Sequence, residues 1–163
     1  RDRLGTYEAT RTLLKAIPGL KLVEMEHNRA NALCCGGVAN TMRPEITTAM
    51  RLAPMNEARA TGAEVMTTVC TGCQLSFAPL EDMYDFEVRS YISLMAEAVG
   101  VRHEDNFKRL AKHGDVHEVL TDARDKITAS GYRSDEFERV LPDYISRFGI
   151  GPALTADPPA HET

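Results

Sequence analysis

Apolar and polar residues alternate along the first half of the chain in patterns that predict helices and strands in turn. Apolar residues three and four positions apart predict a first helix, which Pro18 and Gly19 end because neither residue continues a helix well. A second helix is expected over residues 44–61, with Pro44 in its first turn and Pro54 as a kink or a split. The residues of these helical patterns are Tyr7, Thr10, Leu13, Leu14 and Ile17 in the first helix and Ile46, Ala49, Met50 and Ala53 in the second.

Two short runs of apolar and β-branched residues, 20–25 and 63–69, predict strands that alternate with these helices. A third helix is expected to open after Cys73. Because strands and helices alternate with short links, the strands should pair in parallel, which makes the fold class α/β, a small parallel sheet with flanking helices. Ligands of such sheets bind in the loops beyond the carboxyl ends of the strands, where both groups of cysteines in this chain lie.

The second half of the chain shows helical patterns and is expected to form an extension that packs or docks. One amphipathic stripe opens at Asp115, which stands in capping-box spacing to Glu118. A later stripe contains Pro142, where we expect a break. The apolar residues of the two stripes are Val116, Val119, Leu120, Ala123 and Ile127, and then Phe137, Val140, Leu141, Tyr144, Ile145 and Phe148.

These patterns divide the chain into three parts. Residues 1–84 carry the candidate chemistry, residues 85–151 form the helical extension, and the proline-rich residues 152–163 are expected to be a flexible tail. The chain begins at Arg1 without a signal-peptide pattern. We therefore expect a processed product or a fragment of a longer protein.

Charge and hydropathy limit the classes of partner. The 163 residues carry a net charge of −5 with acidic and basic residues mixed, so the sequence offers no basic stripe for nucleic acid or an anionic bilayer. No apolar run approaches the roughly 20 residues that span a bilayer. Any link to a membrane is therefore expected to come through another subunit.

Four cysteines form two groups, the adjacent pair Cys34 and Cys35 and the C-x-x-C motif of Cys70 and Cys73. Two disulfides are disfavoured because disulfide scaffolds are usually smaller and denser in cysteine. A redox dithiol at the C-x-x-C motif would leave the adjacent pair without a role. A single zinc ion needs sulfurs at tetrahedral corners, which adjacent cysteines supply poorly. Four cysteines that are merely buried apolar residues would be a further alternative.

A polynuclear metal cluster suits adjacent cysteines better than a single ion does. Several iron atoms are spread over a few ångströms, so neighbouring sulfurs that point in different directions can each meet a different iron. Gly36 and Gly37 follow the pair, and their lack of a Cβ would let the backbone pass close to the cluster. The cysteine spacing therefore favours an iron–sulfur site.

At these residues the sequence resembles a known family. The segments "NALCCGG", "ATGAEVMTTVCTGCQLSF" and "GTYEATRTLLKAIPGLKLVEMEHNRAN" are similar to the cysteine-rich CCG domain of the heterodisulfide reductase catalytic subunit, of the B or D type. That domain also occurs in iron–sulfur subunits of glycolate oxidase and of lactate utilisation. The resemblance covers residues 3–80, and the helical extension is most similar to the membrane-associated branch, which includes a K-type subunit of the sulfite-reduction electron-transfer complex.

The resemblance implies that Cys34, Cys35, Cys70 and Cys73 are ligands of a noncubane [4Fe-4S] cluster at which a disulfide or trisulfide is reductively cleaved or formed. The family pattern has a fifth, earlier cysteine that would fall at or before Arg1, and further clusters would lie in the missing part or in partner subunits. Val38 stands in place of a longer glycine run, and Thr71 stands where proline is frequent, which bears on the substrate more than on the cluster.

The resemblance also implies a setting. It places the chain in a multi-subunit electron-transfer complex, with a membrane cytochrome b-type subunit and a substrate that could be carried on a small protein. The location would be the cytoplasmic face of the membrane. Two alternatives stay open, an electron-transfer subunit of the glycolate or lactate type and a structural metal-binding domain.

His27 is the candidate catalytic proton donor, because it precedes the cysteine loop and an imidazole suits proton transfer to a thiolate. A histidine that only hydrogen-bonds the loop is the plainer alternative. Arg29 and Arg43 flank the same loop and could attract an anionic substrate, although solvated arginines are common. No role is assigned to the histidines of the second half, His103, His113, His117 and His161.

Overall fold

The computed structural model describes residues 6–39, 43–113 and 115–148. These residues form seven α-helices and a two-stranded sheet. The elements are α1 (Glu8–Lys15), α2 (Pro44–Ala60), β1 (Val65–Thr68), α3 (Thr71–Phe77), β2 (Glu87–Ser90), α4 (Tyr91–Ala98), α5 (Asn106–Lys112), α6 (Val116–Ala129) and α7 (Ser134–Phe148), with short 3-10 helices at Arg29–Asn31 and Ala78–Met83. In the described part of the chain, no helix has the length and apolar character needed to cross a membrane.

The sheet is a parallel pair, which confirms the predicted α/β class. β1 and β2 run in register from Val65 opposite Glu87 to Thr68 opposite Ser90. α3 and the second 3-10 helix form the connection between the strands. Parallel strands need such a crossover, and it places the start of α3 at the carboxyl end of β1.

The main core lies between the sheet, α2 and α3. Its buried members are Met55, Ala58, Met66, Phe77, Leu80, Phe86 and Val88. Cys35 and Cys73 are partly buried and pack against this core. One cysteine from each sequence group is thus fixed to the best-packed part of the molecule, which limits the movement of both sulfurs.

Several predicted elements are confirmed. α1 ends before Pro18, α2 begins at Pro44 and ends before Gly62, and β1 lies within the predicted strand 63–69. α6 buries Val119, Ala123 and Ile127 of the predicted stripe. The N-cap of α6 is Asp115, as expected, and its carboxylate accepts the backbone N–H of His117. The third predicted helix, α3, begins at Thr71, which is two residues before Cys73.

Other predictions were wrong. Residues 20–25 form no strand, because β1 pairs with β2 and the described residues offer this segment no strand partner. The sequence analysis assigned no strand to Glu87–Ser90, which completes the sheet. Neither Pro54 nor Pro142 splits its helix, since α2 and α7 continue on both sides of these prolines. The alternative of a kink at Pro54 stays a prediction. The predicted tail, residues 152–163, lies outside the described residues.

The second half of the chain packs directly on the element that carries the C-x-x-C motif. Leu75 and Ala78 of the α3 region bury against Ala111 of α5. The buried amide of Gln74 donates to the carboxylate of Asp105 at the start of α5, with 2.6 Å between Nε2 and Oδ2. β2 also lies just beyond residue 84, so contacts cross the predicted domain boundary, and the three-part division stays a prediction.

Candidate metal centre

The C-x-x-C motif lies at the turn from β1 into α3. Cys70 is the N-cap residue of α3, in an extended backbone conformation, and its carbonyl accepts the N–H groups of Cys73 and Gln74, each at 3.1 Å. These hydrogen bonds close the first helical turn. They place the Cys70 and Cys73 side chains three residues apart on that turn, at the sheet edge where a parallel fold binds its ligands.

The loop of the adjacent cysteines is held between α2 and α3 by its two glycines. A Cβ added at Gly36 would lie 3.2 Å from Met50 Cβ and 3.2 Å from Thr47 Cγ2, both on α2. A Cβ added at Gly37 would lie 3.0 Å from Ser76 Oγ and 3.6 Å from Cys35 Sγ. The glycines therefore let the loop approach both helices, and this approach brings Cys35 to α3.

Cys35 is the acceptor at the centre of this arrangement. The Cys73 thiol, the Gly37 N–H and the Ser76 hydroxyl donate to its sulfur, and these hydrogen bonds lower the pKa of Cys35 to about 5 although burial opposes them. The pKa of Cys73 is raised, first because the Cys35 sulfur holds its proton and then because of burial and the nearby Cys70 sulfur. Three sulfurs from both motifs are therefore neighbours.

Cys34 lies at the edge of this group. All four cysteines are free thiols, and Cys34 and Cys70 are exposed while Cys35 and Cys73 are half-buried. Among the described residues, Cys34 stands outside the hydrogen-bonded sulfurs. The site thus has an inner side on the core and an outer side that faces solvent.

The four cysteine sulfurs are not gathered around a single point. Within the described ranges, one group of three histidine, cysteine or acidic side chains has all its ligand atoms within 4.8 Å of one another, and it comprises Glu26, His27 and Glu57. No three of the cysteine sulfurs, all of them in the described ranges, meet that spacing. Sulfurs that are neighbours but not clustered around one point fit a group with several metal atoms better than one tetrahedral ion.

α2 contributes two polar residues that the sequence analysis missed. The predicted stripe does not form the buried face of this helix, since Ile46 is 48% exposed. Thr47 and Arg51 are buried in its place, one helical turn apart, with Met55 on the next turn. Arg51 is only 3% exposed, and its Nε and Nη2 have no hydrogen-bond partner among the described residues.

Among the described residues, the one charged neighbour that acts on Arg51 is the sulfur of Cys35. Burial lowers the pKa of Arg51, and the Cys35 sulfur is the charged neighbour that raises it. A buried cation with two nitrogens unpartnered in the described part of the chain, and with a thiol as its charged neighbour, suits a site that takes up a negatively charged, sulfur-rich group. The described residues therefore fit a thiolate-bound iron–sulfur cluster.

His27 lies at the amino-terminal side of the cysteine loop and is held by α2. Its Nδ1 lies 2.5 Å from Glu57 Oε1, and its backbone N–H donates to Glu57 Oε2 at 3.1 Å. The His27 side chain is 46% exposed, so the ring also reaches solvent. Its role as a proton donor stays a prediction.

The two arginines that flank the loop have different surroundings. Arg29 is paired with Glu8 of α1, with 2.6 Å between Nε and Oε1, and it also lies near Glu24. These contacts tie the loop to α1. Arg43 is exposed and its carbonyl accepts the Thr47 hydroxyl. Attraction of an anionic substrate by either residue stays a prediction.

Comparisons with known proteins agree with this site. Residues 1–78 match the family model of the CCG cysteine-rich domain. No solved structure shows a significant match to the chain.

The curated relatives are longer proteins. The chain is 31% identical over 102 residues to the D-type subunit of dihydromethanophenazine:CoB–CoM heterodisulfide reductase from Methanosarcina barkeri, which covers 60% of this chain and 25% of the relative. The corresponding protein from Methanosarcina acetivorans is 30% identical over 105 residues, 62% of this chain and 26% of the relative. The probable iron-sulfur-binding oxidoreductase FadF of Bacillus subtilis is 33% identical over 99 residues, 57% of this chain and 14% of the relative.

The chain thus spans about a quarter of the length of the heterodisulfide reductase subunits that it matches. The matched family segment contains both cysteine groups and ends directly after α3. Residues 1–78, just under half of the 163-residue chain, thus match the model of the cysteine-rich CCG domain family.

Proposed function

We propose that this chain is the iron–sulfur part of an oxidoreductase of the heterodisulfide reductase type, which cleaves or forms a disulfide or trisulfide. The observation that carries the proposal is the meeting of Cys35, Cys70 and Cys73, from two distant sequence motifs, at the carboxyl end of β1. The likeness to the D-type heterodisulfide reductase subunits supports the class of reaction.

Cys34, Cys35, Cys70 and Cys73 would hold a noncubane [4Fe-4S] cluster. When bound, such a cluster supplies electrons singly to the sulfur–sulfur bond. Cleavage of a disulfide consumes two electrons and two protons, and it gives two thiols. Electrons would come from other subunits of the complex.

The residues of the chain orient and hydrogen-bond the sulfur ligands. Ser76 and the Gly37 N–H donate to the Cys35 sulfur and fix its direction. Gly36 keeps the loop against α2, so that Cys34 stays on the solvent side, where a substrate can approach.

His27 would deliver a proton to a product thiolate. Glu57 holds its Nδ1, which fixes the ring and leaves Nε2 for proton exchange, and the exposed ring can be reprotonated from solvent. The plainer alternative is that the His27–Glu57 pair only fastens the loop to α2.

The setting of the chain is part of the proposal. Its relatives are subunits of heterodisulfide reductase, so the partners would be other subunits of an electron-transfer complex, including a membrane cytochrome b-type subunit. The complex would lie on the cytoplasmic face of the membrane. The substrate could be carried on a small protein, and further clusters would lie outside this chain.

A second candidate function has its own support. The likeness to FadF, a probable iron-sulfur-binding oxidoreductase, supports an iron–sulfur role without a sulfur substrate. The candidate is the electron-transfer subunit of the glycolate or lactate type, in which another subunit would act on the substrate. In that case the chain would hold a cluster and release no thiol.

The deciding experiment is a thiol-release assay on the complete protein, purified without oxygen and supplied with a strong one-electron donor and small disulfides and trisulfides. We expect the wild-type protein to release two thiols per disulfide and Cys35→Ala to release none. Ser93→Ala is the matched control, because Ser93 is a buried small residue on α4. We expect His27→Gln to release thiols more slowly at unchanged iron content.

A wild-type protein that binds iron and sulfide but releases no thiol would support the electron-transfer function instead. Full activity in Cys35→Ala would contradict both functions.

A further inference from the structure

The buried face of α2 carries an arginine where a helix that packs on a core normally has an apolar residue. Arg51 follows Thr47 by one turn and precedes Met55 by one turn, and all three are at most 3% exposed. Met55 belongs to the main core. Thr47 contacts the cysteine loop at Gly36. Arg51 therefore lies on the buried face of α2 between Thr47, which faces the cysteine loop, and Met55, which belongs to the main core.

A buried guanidinium needs a negative partner. Arginine stays protonated in proteins, so it cannot become neutral as a buried carboxyl or amine can. An ion in the interior without a partner is strongly destabilising. Arg51 has two unpartnered nitrogens, and no carboxylate among the described residues pairs with it.

The other arginines of this region are partnered in ordinary ways. Arg11 pairs with Glu24, with 2.6 Å between Nε and Oε1, and Arg59 lies over the ring of Tyr84 at 5.4 Å. The charged group that acts on Arg51 is Cys35. Because Arg51 is only 3% exposed, a substrate that approaches from solvent cannot reach it.

We propose that Arg51 is the built-in counter-charge of the thiolate-bound centre, with its unpartnered Nε–H and Nη2–H groups donating to sulfur atoms of that centre and raising its reduction potential. The inference rests on the proposed cluster. Hydrogen bonds to sulfur and net charge are two of the factors that set the potential of iron–sulfur centres. A positive charge on the buried side favours the reduced form, since reduction adds a negative charge.

The test is a redox titration of the complete protein, purified without oxygen and followed by electron paramagnetic resonance. It compares the wild type with Arg51→Met, Arg51→Lys and Arg59→Met, the last a matched control on the same helix. The signal of this site is defined as the one that Cys35→Ala removes. Iron and acid-labile sulfide are measured in every sample.

We expect Arg51→Met to lower the ratio of reduced to oxidised centre about tenfold at a fixed potential, which is about 59 mV for a one-electron couple. Arg51→Lys keeps the positive charge and should therefore have a reduction potential close to that of the wild type. Arg59→Met should leave the potential unchanged. An unshifted potential in Arg51→Met at normal iron content would overturn the inference and leave the proposed function intact.

If Arg51→Met loses its iron, so that no potential can be measured, the iron content of Arg51→Lys gives the interpretation. Normal iron retention in Arg51→Lys would then support the counter-charge, whereas equal loss in Arg51→Lys would show that the shape of arginine matters and not its charge. A wild-type protein without iron or sulfide would overturn the proposed function, and the inference with it.

Discussion

Gly36 holds the cysteine loop in place through two separate properties of glycine. Its φ of +72° is a backbone conformation that other residues rarely adopt, and its missing Cβ leaves room for Met50 and Thr47 of α2. Gly62, at the end of α2, shares the first property with a φ of +68° but has nothing within 4 Å of an added Cβ. A substitution at Gly62 therefore measures the cost of backbone strain alone, and the same substitution at Gly36 measures strain and crowding together.

Gly36→Ala should destabilise the 163-residue chain more than Gly62→Ala does. Each substitution costs about 1–2 kcal/mol for the left-handed backbone. Gly36→Ala must in addition push the loop away from α2, so we expect a further cost of about 1–3 kcal/mol and a lower iron content. Urea denaturation measures the first effect and iron analysis the second. Equal unfolding free energies in the two variants would show that the loop does not press on α2.

The sequence predicts the four cysteines well but not the polar residues around them. Cysteines in two motifs have few alternative roles, so their spacing alone favours a shared site. Arg51 and Ser76 have no such signal, because both are ordinary helix-surface residues by type and become site residues only when α2 and α3 pack on the loop. The predicted apolar stripe of α2 faced another way, so no pattern in the sequence indicated that Arg51 shares a buried face with Met55.

α3 and α5 are joined by one carboxylate that performs two tasks. Asp105 caps α5, its Oδ1 accepting the Lys108 N–H at 2.9 Å, while its Oδ2 accepts the buried amide of Gln74. Gln74 directly follows Cys73. α5 therefore supports the helix that carries the C-x-x-C motif. Asp115 caps α6 through the His117 N–H, and among the described residues its other oxygen has no buried partner of this kind.

Asp105→Ala should cost more stability than Asp115→Ala. Loss of a helix cap costs about 1 kcal/mol in each variant. Asp105→Ala also leaves the Gln74 amide buried without its acceptor, which adds about 1–3 kcal/mol. Urea denaturation of both variants of this chain measures the difference. A cost for Asp105→Ala no larger than that for Asp115→Ala would mean that α5 does not support α3.

Helices were predicted more reliably than strands. The helical patterns of α1, α2 and α6 are local, so the sequence contains most of what determines them. A strand exists only with a partner, and residues 20–25 lack one in the described structure although their composition suits a strand. Glu87–Ser90 is a strand because β1 lies beside it, which no pattern within those four residues reveals.

The molecule as a whole places its candidate metal-binding cysteines at the rim of the main core, against which Cys35 and Cys73 pack. β2 and α5 lie beyond the matched family segment, yet they complete the sheet and pack on α3. The stability of the site thus depends on residues in both halves of the chain. We expect the cluster to need the chain at least as far as Lys112, where α5 ends.

The measurement that tests this account most directly is the content of iron, acid-labile sulfide and zinc in the complete protein, purified without oxygen. It is made on the wild type, on Cys35→Ala and on Ser93→Ala as the matched control. The account predicts near-equal iron and sulfide in the wild type and the control, with about four of each lost from Cys35→Ala. Zinc without sulfide, or an unchanged iron content in Cys35→Ala, would contradict it.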